Sequence, residues 1–98
     1  MSKEFHEKLA GCCRFFRKSG IIRKPFRVRI VPKEKLPANT LGDYGSGLIR
    51  ICSGLPGYVA RDTLLHELAH HMVAGGHNVA WAEAYSRIYK LYHEGKKE

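Results

Sequence analysis

Phe5, Leu9, Cys12, Cys13 and Phe16 recur at offsets of four, seven, eight and eleven. That is the stripe of an amphipathic helix, so a helix is predicted from Ser2 to Lys18, with Gly20 as its stop. Phe26, Val28 and Ile30 then alternate with Arg27, Arg29 and Val31. This period of two predicts a half-buried strand that ends at Pro32. Pro37, Asn39, Gly42, Asp43, Gly45 and Gly47 read as a loop of turn formers, followed by a second strand from Leu48 to Cys52. Ser53, Gly54, Pro56 and Gly57 separate that strand from a helix that starts at Tyr58 or Asp62, runs to Val73 and is closed by Gly75-Gly76. A last helix is expected from Asn78 to His93, burying Trp81, Ala84, Tyr85, Ile88 and Tyr92 at helical spacing. The predicted order is helix, two strands, helix, helix. This is an α+β fold with a small two- to three-stranded sheet.

At 98 residues the chain can close one modest core, so residues 1–98 are expected to form a single domain, with 94–98 as a disordered tail. No run of residues has the apolar length of a membrane span, and the mixed N-terminus does not read as a signal peptide. The three cysteines, Cys12, Cys13 and Cys52, are odd in number and unsuited to a disulfide framework, which points to a reducing, cytoplasmic location. The formal charge of +8 favours anionic partners. Arg14, Arg17, Lys18, Arg23, Lys24, Arg27 and Arg29 crowd the N-terminal third among Phe15, Phe16 and Phe26, which makes that third a candidate nucleic-acid contact.

The chemistry concentrates in Leu64-Leu65-His66-Glu67-Leu68-Ala69-His70, which contains His-Glu-x-x-His among good helix formers. Residues four apart share a helix face, so His66 and His70 can reach one Zn²⁺ ion while Glu67 serves as general base toward an activated water. At about 100° per residue, His70 lies about 40° from His66, and Leu64, Leu65, Leu68, Ala69 and Met72 lie on the far side. The histidines are therefore expected off the core face.

A catalytic zinc needs a third protein ligand. His77 and Glu83 compete for that role. His77 follows Gly75-Gly76, where the backbone can turn back toward the metal, whereas Glu83 falls about 200° from Trp81 on the last helix and is expected to pair with Arg87 on the surface. His77 is the preferred ligand. His71, about 140° round from His66, is expected at the surface.

Thr63 to Trp81, TLLHELAHHMVAGGHNVAW, resembles the active-site stretch of SprT-like zincin metallopeptidases, including the Spartan and weak-suppressor-of-smt3 proteases. In that family a third histidine after the His-Glu-x-x-His helix precedes an aromatic residue on the next helix, a pattern met here by His77 and Trp81, with Asn78 where glycine is usual. The resemblance implies a minimal zincin-like catalytic domain with His66, His70 and His77 as zinc ligands. It also implies that Leu48–Cys52 is the strand above the cleft that pairs with an extended peptide, and that Tyr44 and Tyr85 are candidate oxyanion donors. Minimal gluzincins would instead use Glu83 as third ligand.

The expected function is therefore a zinc-dependent peptidase acting on a peptide or protein substrate, with Glu67 as base. The alternative is a zinc-stabilised, non-catalytic module that binds nucleic acid or protein. A carboxylate beside the first histidine favours the enzyme, since a purely structural site has no use for it.

Overall fold

The computed structural model describes residues 3–73 and 76–95, which form three helices and one mixed three-stranded sheet, an α+β arrangement. Helix α1 (Lys3–Ser19) buries Phe5, Leu9, Cys12, Cys13 and Phe16, the stripe its spacing predicts. The Ser19 hydroxyl, 3.0 Å from the Phe16 carbonyl, closes the last turn, and Gly20 leaves it with a φ of +75° that favours glycine.

Strands β1 (Arg27–Val31), β2 (Gly42–Gly45) and β3 (Leu48–Cys52) lie in the order β1-β3-β2. β1 runs parallel to β3, with Val28 beside Ile49 and Ile30 beside Ile51. β2 runs antiparallel to β3, with Gly42 opposite Ile51 and Tyr44 opposite Ile49. The segment expected as loop thus contains a strand. It reaches β3 through a two-residue hairpin in which Ser46 and Gly47 have φ of +50° and +79°, the signature of a type I′ turn. β3 sits at the sheet centre with both edges paired, so the free edge beside the cleft belongs to β2 and not, as expected, to β3.

Helix α2 (Gly57–Met72) is the centre of the packing, in contact with α1, α3, β2 and β3. It buries Ala60, Leu64, Leu65, Leu68 and Ala69, but also Glu67 and His71, because neighbours cover it on more than one side. Two glycines allow close approach. A Cβ on Gly42 would stand 2.7 Å from the Arg50 carbonyl and 2.8 Å from Thr63 Cγ2, and one on Gly57 would stand 2.9 Å from Glu4. Helix α3 (Val79–Gly95) adds Ala84, Ile88 and Tyr92 to the core shared by all three helices and the sheet. Trp81 and Tyr85, expected in that core, are only half-buried and face α2 near His66.

Residues 94 and 95 close α3 instead of joining a tail, and 96–98 lie outside the described residues, as does Gly75 of the expected helix stop. Cys12, Cys13 and Cys52 are all buried. Among the described residues no helix is long and apolar enough to cross a membrane.

Candidate metal centre

His66 and His70 stand one turn apart on α2, and His77 comes to them from the connection between α2 and α3. The Nε2 atom of His77 is 3.1 Å from Nε2 of His66 and 3.1 Å from Nε2 of His70. A ring nitrogen carries either one proton or one in-plane lone pair, so hydrogen bonding alone leaves this convergence of three Nε2 atoms incompletely satisfied. Three imidazole nitrogens brought this close together suit a cation. With metal–nitrogen bonds of about 2.0–2.1 Å, tetrahedral ligand nitrogens lie about 3.3 Å apart, close to the observed spacing. The three histidines are near enough to hold one metal ion.

Trp81 braces all three rings, its centroid lying 4.8 Å from that of His66, 5.2 Å from His70 and 4.6 Å from His77. Asn78 immediately precedes the helix that carries it, and its side-chain oxygen accepts the Trp81 backbone N–H at 2.8 Å. Asn78 is thus an N-cap that fixes where α3 and its tryptophan begin. Burial, followed by the neighbouring His70 and His77, lowers the pKa of His66; burial and His77 do the same for His70. Both rings are thereby biased toward the neutral form a metal requires.

Glu67 points into the cleft beside His66 and is only 6% exposed. Burial, with Asp43 as the second cause, raises its pKa from 4.5 to about 7. Asp43 is itself held by a bidentate pair with Arg50 across the β2–β3 ladder, with Nε to Oδ1 at 2.7 Å. Two cavities meet at His66 and Glu67. One, of about 420 Å³, runs beside Asp62 and Tyr85; the other, of about 550 Å³, runs beside Asp43, Tyr44 and His77. Thr40 and Gly42 border both, so the outer side of β2 follows the length of the cleft.

His71 departs from its expected surface position. It is 5% exposed, with Nε2 2.9 Å from the Lys24 carbonyl and Nδ1 2.8 Å from the Tyr44 hydroxyl. The carbonyl can only accept, so Nε2 carries the proton and Nδ1 accepts from Tyr44. Tyr44 Oη in turn accepts the Gly47 N–H at 3.2 Å. The surface expectation failed because the side of α2 about 140° from His66 is covered by the sheet and the Lys24 segment. Tyr44 is consequently committed within the fold and is not free to act as an oxyanion donor. Tyr85 keeps its place beside the cleft, its ring stacked on Trp81 at 5.2 Å.

Glu83 is exposed on the other side of α3, in a groove with Met72, Arg87 and Lys90, and takes no part in the histidine cluster. Among the described residues the i, i+4 ion pair on α3 is Lys90–Glu94 at 4.0 Å, in place of the expected Glu83–Arg87. In the basic N-terminal third, Phe16 and Phe26 are buried and Phe15 packs edge-on to Tyr92. Phe16 and Phe26 thus belong to the core, and Phe15 is partly buried against it. Arg14, Lys18, Arg23, Lys24, Arg27 and Arg29 remain exposed, while Arg17 lies over the Phe26 ring at 4.7 Å.

Comparison of the chain with protein-family models, curated proteins and solved structures finds no match in any of the three.

Proposed function

We propose that this protein is a zinc-dependent peptidase of the SprT-like kind, hydrolysing peptide bonds with His66, His70 and His77 as metal ligands and Glu67 as general base. The observation that supports this reading is that His77 Nε2 lies 3.1 Å from Nε2 of both His66 and His70, beside a buried carboxyl that lines an open cleft. The donor set fits the ion, since imidazole nitrogen is a preferred zinc ligand and three protein ligands leave a position open for chemistry. When bound, the zinc would supply Lewis acidity, lowering the pKa of water to about 7 and polarising the scissile carbonyl.

The chain's own groups do the rest. Glu67, with a pKa near neutrality, can take a proton from the attacking water and return it to the leaving amine in the same cycle. The free edge of β2 offers backbone hydrogen-bonding groups to an extended peptide, and the absence of a side chain at Gly42 keeps strand and helix close enough to bring that peptide to His66. The Tyr85 hydroxyl, on the cavity wall shared with His66, is a donor available to the developing oxyanion. Burial, with Asp43 as the second cause, raises the proton affinity of the Glu67 carboxylate, which favours its taking that proton.

The test is Glu67→Gln. The variant should bind zinc like the parent and cleave an unfolded protein substrate at least about a hundredfold more slowly. Undiminished cleavage would remove the proposed base. Zinc binding without cleavage by the parent on any unfolded substrate would leave the alternative, a metal-stabilised binding module.

A further inference from the structure

In the cleft the charge balance of the chain reverses. The protein carries 17 lysines and arginines against nine acidic residues, yet neither cavity that meets at His66 and Glu67 has a lysine or arginine in its lining. The chain has two aspartates, and each lines one of these cavities. Their situations differ. Asp43 has both carboxylate oxygens taken by Arg50. Asp62 meets Arg61 through Oδ1 alone, at 3.0 Å, and Arg61 is also near enough to Tyr92, on the core side, to act on its hydroxyl. Oδ2 of Asp62 has no hydrogen-bond partner among the described residues.

The cavity of about 420 Å³ beside Asp62 combines three features. Leu41 and Val59 give it an apolar flank, and the Tyr85 ring forms part of its wall. Glu67 opens into it as a second carboxyl, nine-tenths buried and with no hydrogen bond or ion pair among the described residues. An acidic side chain would meet two carboxyls there, and a short polar one would leave the volume unfilled. A lysine or arginine side chain suits all three features, its stem along Leu41 and Val59 and its cationic head between Asp62 and the Tyr85 ring.

The geometry points to a subsite for a cationic side chain next to the metal centre, with Asp62 as its specificity-determining residue. The substrate class is then a peptide with lysine or arginine flanking the scissile bond on the His66 side, an assignment that rests on the peptidase reading above. The overall charge of +8 opposes approach of such a peptide at long range, so selection comes from the local pocket and not from steering.

The test uses the zinc-loaded full chain and dye-labelled alanine–serine peptides in which a single lysine is walked through each position, each matched by a peptide with norleucine, the uncharged isostere. Cleavage is read by mass spectrometry and binding by fluorescence anisotropy, for the parent and for Asp62→Asn. At one position lysine should exceed norleucine by about tenfold in kcat/KM, and the ratio should fall toward one in Asp62→Asn. Cleavage without that preference overturns the subsite and leaves the peptidase reading standing. Lysine-selective binding that Asp62→Asn abolishes, with no cleavage, upholds the subsite and sinks the peptidase reading. Neither cleavage nor selective binding removes both.

Discussion

Replacing His77 with alanine is the perturbation that bears most directly on the metal centre. His66 and His70 are four residues apart on one helix and would still offer two nitrogens, whereas the third nitrogen comes only from His77. Structural zinc sites with four ligands bind with about 10–16 kcal/mol, so one ligand is worth about 2.5–4 kcal/mol, or ~10²–10³-fold in Kd. The assay is built into the fold. Trp81 is the single tryptophan of the chain, and its ring lies within 5.2 Å of all three histidine rings, so its emission reports occupancy directly. Titration of the metal-free parent with Zn²⁺ should change Trp81 fluorescence to an endpoint of one ion per chain, confirmed by elemental mass spectrometry. His77→Ala should shift the midpoint by about two to three decades, consistent with that per-ligand energy. Glu83→Ala, on the other side of α3, should leave the midpoint in place. An unshifted His77→Ala, or loss of metal in Glu83→Ala, would refute the three-histidine centre.

Glu67 should make the metal-free protein less stable as pH rises. Its folded pKa is raised from 4.5 to about 7, so between those values the unfolded chain ionises while the folded chain holds its proton. At about 1.4 kcal/mol per pK unit this amounts to about 3 kcal/mol lost by pH 8 and almost none below pH 4. Urea denaturation in chelator should therefore find Glu67→Gln more stable than the parent at pH 8 and similar at pH 4, and a pH-independent difference would contradict the raised pKa. Tyr44→Phe strips His71 Nδ1 and the Gly47 N–H of their partner and should cost about 1–3 kcal/mol in the same assay; an unchanged midpoint would mean that the network adds nothing. Gly42→Ala places a Cβ within 2.7 Å of the Arg50 carbonyl, and a backbone atom cannot step aside, so a loss of about 1–3 kcal/mol is expected. Full stability in that variant would show that β2 and α2 are free to separate.

Helix α1 and strands β1 and β3 were legible because their apolar residues fall on one face. Phe5 to Phe16 on α1 and Phe26 to Ile30 around β1 carry clean periods, and β3 matches its expected span, Leu48 to Cys52. β2 was not legible. Gly42-Asp43-Tyr44-Gly45 has turn composition, and what makes it a strand is pairing with β3, a tertiary effect absent from its own residues. The signal that could have found it was Gly45-Ser46-Gly47 ahead of an apolar strand, which suits a tight hairpin.

In the site, the convergence of His66, His70 and His77 followed from spacing and from the glycines ahead of His77. His71 was misread because a helical wheel assumes one buried face, and α2 is covered on several. For the same reason the burial of Glu67 could not be read from its position beside the histidines, and Tyr44 could not be paired with a histidine 27 residues away.

Two of the three histidines sit on a packed helix, and the third on the short connection between α2 and α3. Any ion they share is therefore also a cross-link. It closes a ring from His70 to His77 and ties the first turn of α3 to the last turns of α2 without a disulfide. Removing the ion would open that ring first, while the core of Leu64, Leu68, Ile88 and Tyr92 stays shut. Chelation should thus loosen the start of α3 from the last turns of α2 before the core opens, so that an ion bound by the three histidines would also act as a staple between two helices.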